Sequence, residues 1–361
     1  MANGYLEHGV ADQITYYDMF FRRIPDGGGF AIMAGLEQVI EYLKNLHFTE
    51  RDIAYLRGKN CFCEEFLDYL ANFKFSCDVW AIPEGMPVFP GEPLLTVRIV
   101  RIGSRIIAKS LFLGRKHLHP AVRHSTQSRN MHVPIRDILD QGGQVDSFGV
   151  GERLVTAKSD PVFGGVYKLA AVEKDGQLVP KIKISENVEK ITNPGFKKSW
   201  RLYECGTGKA IADVITLADE VIDDSQPYEI FDPSYTWKRK IIKDFVAKPL
   251  QVPVFVKGEC VYQSPNLQEI QQFCKEQIAT LWDEVLRFEH PHNYNHYRIF
   301  RFFLQSLCKI LQLLIANTAL PVIRSQTNRQ LLFACQSFLR WRLISAANHG
   351  QRQYQEKQTQ N

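Results

Sequence analysis

The stretch Asp146-Ser147-Phe148-Gly149-Val150-Gly151-Glu152-Arg153-Leu154 is where this sequence comes nearest to chemistry. Val145–Phe148 reads as a short strand running into a glycine loop. Glycines let several backbone N–H groups turn toward one anion, which is how phosphate nests form. Such loops follow the last strands of α/β barrels that bind sugar phosphates. Gly149, Val150 and Gly151 are therefore the candidate phosphate-binding residues, while a lone G-x-G is also the mark of an ordinary tight turn. His117, His119, His124 and His132 crowd one stretch without a carboxylate or cysteine beside them, so they make a poor metal set. The eight cysteines, Cys61, Cys63, Cys77, Cys205, Cys260, Cys274, Cys308 and Cys335, form no C-x-x-C pair. That spacing argues against zinc and thioredoxin-type sites and suits a reduced, cytoplasmic protein.

The charge is unevenly spread. The chain has 361 residues, 45% of them hydrophobic, and a formal net charge of +5. From Arg98 to Arg136 there are nine Lys or Arg and no acid. From Pro291 to Asn361 there are nine more, against the single acid Glu356. These two segments carry +17 and the remainder −12. A basic arm for nucleic acid or an acidic partner is one reading. The other is that the segments are foreign to the fold, through a deletion, a frame change or a wrongly joined gene. The acidic body and the lack of an aromatic-basic pattern in the first segment favour the second and argue against nucleic acid. The sole membrane candidate, Phe302–Ile323, is interrupted by Gln305, Lys309, Gln312, Asn317 and Pro321, which argues against a spanning helix.

The elements that must position any site fall in two clean regions. In the first, Ile14–Arg22 reads as a strand and Pro25–Gly29 as a loop. Leu36, Val39, Ile40 and Leu43 mark a helix over Ile32–Leu46. Thr49 caps a short helix that starts near Glu50, and Glu64–Phe73 is another helix. Cys77–Ile82 and Leu94–Val97 are strands flanking the turn-rich Pro83–Pro93. In the second region Ile135–Asp140 ends a helix at Gly142-Gly143. Val166–Val172, Lys181–Ser185, Trp200–Glu204 and Ala212–Leu217 read as strands, and Asn266–Phe288 as one long helix.

Several motifs together resemble the nicotinate phosphoribosyltransferase family. Asp18-Met19-Phe20-Phe21-Arg22-Arg23, Gly27-Gly28-Gly29-Phe30 and Ala34-Gly35-Leu36-Glu37 match near the start. Ile82-Pro83-Glu84-Gly85 and Pro90-Gly91-Glu92-Pro93-Leu94 follow. Asp146–Ala157, Gly164–Leu169, Lys183–Asn187, Lys190–Gly195 and Gly208–Asp213 complete the series in family order. The resemblance covers about residues 1–97 and 135–295. It implies an α/β fold: an α+β N-terminal domain plus an incomplete TIM-like (β/α) barrel of the type II phosphoribosyltransferase kind. The expected organisation is 1–97 for the first domain, 98–136 for the basic segment, 135–295 for the end of the barrel and the C-terminal part, and 296–361 for the tail.

By the same resemblance the substrates are nicotinate and phosphoribosyl pyrophosphate, with ATP and Mg2+ as cofactors and a homodimer as the assembly. Gly149, Val150 and Gly151 would hold the sugar 5′-phosphate. The resemblance also implies losses. The aspartate–leucine–tyrosine stretch expected before Met1-Ala2-Asn3-Gly4-Tyr5 is missing, an apparent N-terminal truncation, and Tyr5 does not replace its tyrosine. A barrel takes roughly 200–250 residues, about 30 per unit, whereas Arg98–Arg136 offers 39. The family's arginine-rich segment and phosphorylated histidine belong there, and His124-Ser125 lacks the rest of that histidine motif. The tail beyond Tyr294 is unrelated to the family. The catalytic residues are thus unknown, the chain as written is expected to be inactive, and a non-catalytic remnant or basic anion-binding protein is the alternative. An open barrel would also bare strand edges and apolar helix faces, so poor solubility is expected.

Overall fold

The computed structural model describes residues 2–100, 102–103, 141–144, 160, 162–182, 192–231, 239–287, 290–292, 294 and 296–298. The chain divides into two units, Met1–Lys181 with Pro194–Phe302, and Ile182–Asn193 with Phe303–Asn361. Both large sheets belong to the first.

Helices α1 (Ala2–Glu7), α2 (Leu36–Lys44), α3 (Glu50–Arg57) and α4 (Glu64–Ala71) accompany strands β1 (Ile14–Phe20), β2 (Ala31–Ile32), β3 (Asp78–Ala81), β4 (Pro87–Val88) and β5 (Leu95–Val100). The later strands are β6 (Val166–Lys174), β7 (Gln177–Pro180), β8 (Lys197–Glu204), β9 (Ala210–Leu217), β10 (Tyr228–Phe231), β11 (Arg239–Ile242), β12 (Phe245–Pro249), β13 (Val252–Val256) and β14 (Glu259–Cys260). Helices α5 (Leu267–Ala279) and α6 (Asp283–Leu286) and strand β15 (His296–Arg298) complete the set.

A seven-stranded sheet runs β14-β13-β3-β5-β1-β6-β7, and a six-stranded sheet runs β11-β10-β15-β9-β8-β12. β5 and β6 flank β1 and are both antiparallel to it. The first sheet therefore takes strands from both sides of the basic segment. One of its faces is apolar by alternation. Tyr17, Val79, Ala81, Leu95, Val97 and Ile99 pack there against Leu36, Val39, Ile40 and Leu43 of α2. Each such buried aliphatic side chain contributes roughly 1.5–3 kcal/mol. α2 is started by a carboxylate rather than a hydroxyl cap: Glu84 Oε1 accepts from the N–H groups of Gly35 (2.5 Å), Leu36 (2.6 Å) and Glu37 (3.4 Å). An anion there meets both the orphan N–H groups and the helix dipole.

Several boundaries differ from the expected ones: the strand expected over Ile14–Arg22 ends at Phe20, the helix expected over Ile32–Leu46 begins only at Leu36 because Ala31–Ile32 pairs as β2, and the strand expected over Leu94–Val97 runs on to Val100. The helix expected over Asn266–Phe288 ends at Ala279, with α6 beginning anew after Trp282. The break has a cause: Lys209 Nζ takes the carbonyls of Ala279 (3.0 Å) and Leu281 (2.8 Å), and the Ala210 N–H takes that of Thr280 (2.8 Å). Lys181 and Ile182 are not strand, and 183–185 lie outside the described residues. Just before them stands β7, joined to β6 by a two-residue turn at Asp175 (φ 52°) and Gly176 (φ 71°). β8 begins at Lys197, three residues before the expected Trp200. The described strands form these two sheets and a two-stranded β2-β4 pair, and among the described residues they close no barrel; Ile135–Asp140 and Val145–Phe148 lie outside the described residues.

Candidate functional site

Alternation along β8 turns Trp200 and Leu202 into the apolar core of the second sheet and Lys197, Ser199 and Arg201 to the opposite side. That side meets the N-terminal strands, and two buried ion pairs form on it. Lys197 Nζ lies 2.5 Å from Asp18 Oδ2, with the two side chains 2% and 5% exposed. The Thr96 hydroxyl donates to the other Asp18 oxygen at 2.8 Å, and Lys197 Nζ also donates to the Gly195 carbonyl at 2.8 Å. Neither partner of that pair is left with a single contact, as buried charges require.

Four residues on, Arg201 and Asp213 are both fully buried. They face each other across β8 and β9. Arg201 Nε reaches Asp213 Oδ1 at 2.8 Å and Nη2 reaches Oδ2 at 2.7 Å, a bidentate fork. Nη2 also donates to the Pro87 carbonyl at 2.8 Å, and Nη1 lies 3.5 Å from Met86 Sδ. The Tyr294 hydroxyl donates to Asp213 Oδ1 at 3.2 Å. Its ring stacks on Phe89, with centroids 4.0 Å apart and planes at 12°. The guanidinium carbon lies 5.5 Å and 5.8 Å from those two ring centroids, within cation–π range. Glu92, wholly buried, accepts the Phe89 N–H at 3.0 Å. Burial, and then the Asp213 charge, push the Glu92 carboxyl well above the usual carboxylate range. Burial alone would lower the Arg201 pKa; the Asp213 charge and hydrogen bonds override it and hold the guanidinium charged.

The polar face of the first sheet carries a more open group. Tyr16 stands opposite Arg98, Asp78 opposite Arg98, Asp18 opposite Thr96, and Trp80 opposite Thr96. Arg98, 34% exposed, donates from Nε to Glu173 Oε1 (3.1 Å) and the Tyr16 hydroxyl (3.0 Å), and from Nη1 to Asp78 Oδ2 (3.2 Å). Tyr16 donates to Glu173 at 2.6 Å; burial and that carboxylate push the phenol up to about 12. Phe196 bridges Tyr16 and Trp80, with centroids 4.8 Å and 5.1 Å away. On this face the Arg98 guanidinium is committed to Glu173, Asp78 and Tyr16, beside the rings of Phe196 and Trp80.

Gly149, Val150 and Gly151 lie outside the described residues, as do His117, His119, His124 and His132. Among the described residues no three His, Cys, Asp or Glu side chains converge on a point that could hold a metal. Reading the sequence missed Lys197, Arg201 and Glu92. One signal was there: two basic residues at i and i+4 of a strand otherwise bound for the core.

Two family models match this chain: the nicotinate phosphoribosyltransferase (NAPRTase) N-terminal domain over residues 1–100, and the nicotinate phosphoribosyltransferase C-terminal domain over residues 196–296. The nicotinate phosphoribosyltransferase of Bacillus subtilis (strain 168) is 25% identical over 439 residues, covering 81% of this chain and 90% of the relative. That span exceeds the 361 residues of the whole chain, so the relative holds sequence with no counterpart here. Nicotinate phosphoribosyltransferase pncB2 of Mycobacterium tuberculosis (strain ATCC 25618 / H37Rv) is 39% identical over 128 residues, 36% of this chain. The chain spans only 27% of the length of that relative. The crystal structure of human nicotinic acid phosphoribosyltransferase superposes with a TM-score of 0.64 at 17% identity, covering 86% of this chain and 98% of the other. The fold is that of the α/β type II phosphoribosyltransferases. With both family models matched in order on either side of the middle segment, the chain belongs to the nicotinate phosphoribosyltransferase family, whose named members are transferases. No helix among the described residues is long and apolar enough to cross a membrane.

Proposed function

We propose that this chain carries the scaffold of an enzyme that joins nicotinate to the sugar of phosphoribosyl pyrophosphate, in the branch of NAD biosynthesis that starts from nicotinate. The ring nitrogen bonds to the sugar carbon C1′ as the bond from C1′ to pyrophosphate breaks, giving nicotinate mononucleotide and pyrophosphate. Positioning and electrostatics dominate such a transfer, because the transition state is a sugar cation beside a departing anion. The joint match of residues 1–100 and 196–296 to the two domain models carries this reading. On it, the backbone of Gly149, Val150 and Gly151 holds the sugar 5′-phosphate, ATP hydrolysis is coupled to the transfer, and Mg2+ is required. The same reading puts the chain in the cytoplasm and pairs two copies.

The second part of the proposal is that this polypeptide does not turn over. The Bacillus alignment, longer than the chain itself, supports a shortened middle, and the 39 residues of Arg98–Arg136 hold about one barrel unit. The test is pyrophosphate release by the purified full chain given nicotinate, phosphoribosyl pyrophosphate, ATP and Mg2+. The expected result is no release above the blank without nicotinate. Nicotinate-dependent release would sustain the reaction and overturn the silence. Resequencing the gene across the codons for Val97–Asp137 and beyond Tyr294 separates the causes. A corrected frame that adds barrel sequence should yield a protein that releases pyrophosphate; if that protein stays silent, the reaction itself is wrongly assigned.

A further inference from the structure

A cleft of about 560 Å³ opens where three segments meet: the end of α2, the link from α4 to β3, and the turn between β13 and β14. That volume is within the roughly 300–1,000 Å³ of small-molecule sites. The floor is apolar. Leu43 and Phe255 are buried there, and Phe73 and Phe75 are half-buried. Neighbouring rings fix the phenylalanines: Phe75 stands edge-on to Phe255 (5.1 Å, 79°), and Phe73 edge-on to Phe48 (6.1 Å, 86°). The backbone wall is fixed as well. The Gly258 N–H donates to the Cys77 carbonyl at 2.9 Å, and the Lys257 N–H to Asp78 Oδ1 at 2.7 Å. Gly258 has φ 87°, and a Cβ there would come within 2.3 Å of the Phe75 carbonyl oxygen. The β13–β14 turn therefore presses on the Phe75-Ser76 backbone as only glycine permits. A cleft with walls set in this way spares a ligand the cost of ordering them.

The rim is basic. Lys44, Lys74 and His47 line it against one acid, Glu259. His47 Nδ1 donates to the Asn45 carbonyl at 2.7 Å, which holds that ring in place. Among the described residues no ion pair or hydrogen bond engages the Lys44 or Lys74 ammonium, whereas Arg98, Lys197 and Arg201 are all committed to carboxylates. Two uncommitted cations beside fixed aromatic rings complement a molecule that is flat and apolar at one end and negative at the other. Its ring would join the phenylalanines through face and edge contacts, and its charge would meet the field of the lysines.

We propose that this cleft binds a small aromatic anion, a planar ring bearing a carboxylate or a phosphate, with the ring on Phe73, Phe75 and Phe255 and the charge on Lys44 and Lys74. Benzoate and adenosine 5′-monophosphate separate the two sources of charge, and benzyl alcohol and adenosine are their neutral counterparts. Titration calorimetry of the full chain should show at least one of the two anions binding, about tenfold or more tightly than its neutral counterpart, as expected for charge-assisted contacts. Lys44→Gln combined with Lys74→Gln should weaken that binding by about tenfold or more. Both lysines are exposed, so the variant keeps the fold. Lys240→Gln, at an exposed lysine on β11, should bind as the unaltered chain does. The proposal is overturned if neither anion binds, if the neutral counterparts bind as tightly, or if the loss follows Lys240 and spares the lysine pair.

Discussion

Lys197 and Arg201 lie four residues apart on one face of one strand, and the structure holds them in two different ways. Lys197 meets one carboxylate, Asp18, whose second oxygen is served by the Thr96 hydroxyl. The charges cancel with nothing added. Arg201 meets one carboxylate, Asp213, through two hydrogen bonds, and with it two aromatic rings and a backbone carbonyl. An ammonium is a compact point charge on a flexible stem, adequate for a single partner. A guanidinium is a planar fork that can be bidentate to Asp213 and lie against Phe89 and Tyr294 at once. The lesson is that the simpler pair joins two points while the larger one organises a seam, and removing each should cost accordingly.

The largest effect is expected from Arg201→Met, which takes the bidentate cation away from the fully buried Asp213. Breaking a buried pair from one side costs about 3–5 kcal/mol, and the upper end is expected here, read as the shift in the urea unfolding midpoint. Lys197→Met should cost about 3 kcal/mol by the same mechanism, because Asp18 keeps the Thr96 hydroxyl. If the lysine variant proves the worse of the two, the ranking drawn above is wrong. Tyr294→Phe should be mildest, about 1 kcal/mol for one hydrogen bond, since the ring stack on Phe89 survives. A Tyr294→Phe loss as large as that of Arg201→Met would mean that the hydroxyl, not the fork, holds Asp213 in place.

Local signals in the sequence were dependable where their partners are local. Thr49 and Asp52 satisfy each other's backbone N–H groups three residues apart, and α3 starts where that box predicts. The helical spacing of Leu36, Val39, Ile40 and Leu43 marks the buried face of α2. The Asp175-Gly176 turn was equally legible, since a two-residue Asp-Gly between alternating runs signals a hairpin, and β7 follows it directly. The strands β10 to β14 were not legible, because they are short, carry Pro249 and Pro253, and are stabilised by distant pairings such as Val252 with Ala81. The ionic pairs were hidden for the same reason: the partner of Lys197 is Asp18, at the far end of the sequence, and the i, i+4 spacing of Lys197 and Arg201 does not by itself say which carboxylates meet them. Of the candidate site, Gly149–Gly151 belong to the part outside the described residues, so the glycine-loop reading stands on sequence alone.

The placement of β5 and β6 on either side of β1 sets what the middle of this chain can become. Val100 pairs with Ile14 and Val166 with Phe20, at opposite ends of β1. The chain between them must return along the length of that strand, about 20 Å at the usual rise per residue. Any connection long enough to make that return satisfies the geometry. The entropy of closing it grows only with the logarithm of its length, about 0.6 kcal/mol for each doubling. The sheets are therefore nearly indifferent to how much sequence hangs between Val100 and Val166. A lineage could lengthen, shorten or exchange that insert while the frame around it kept folding.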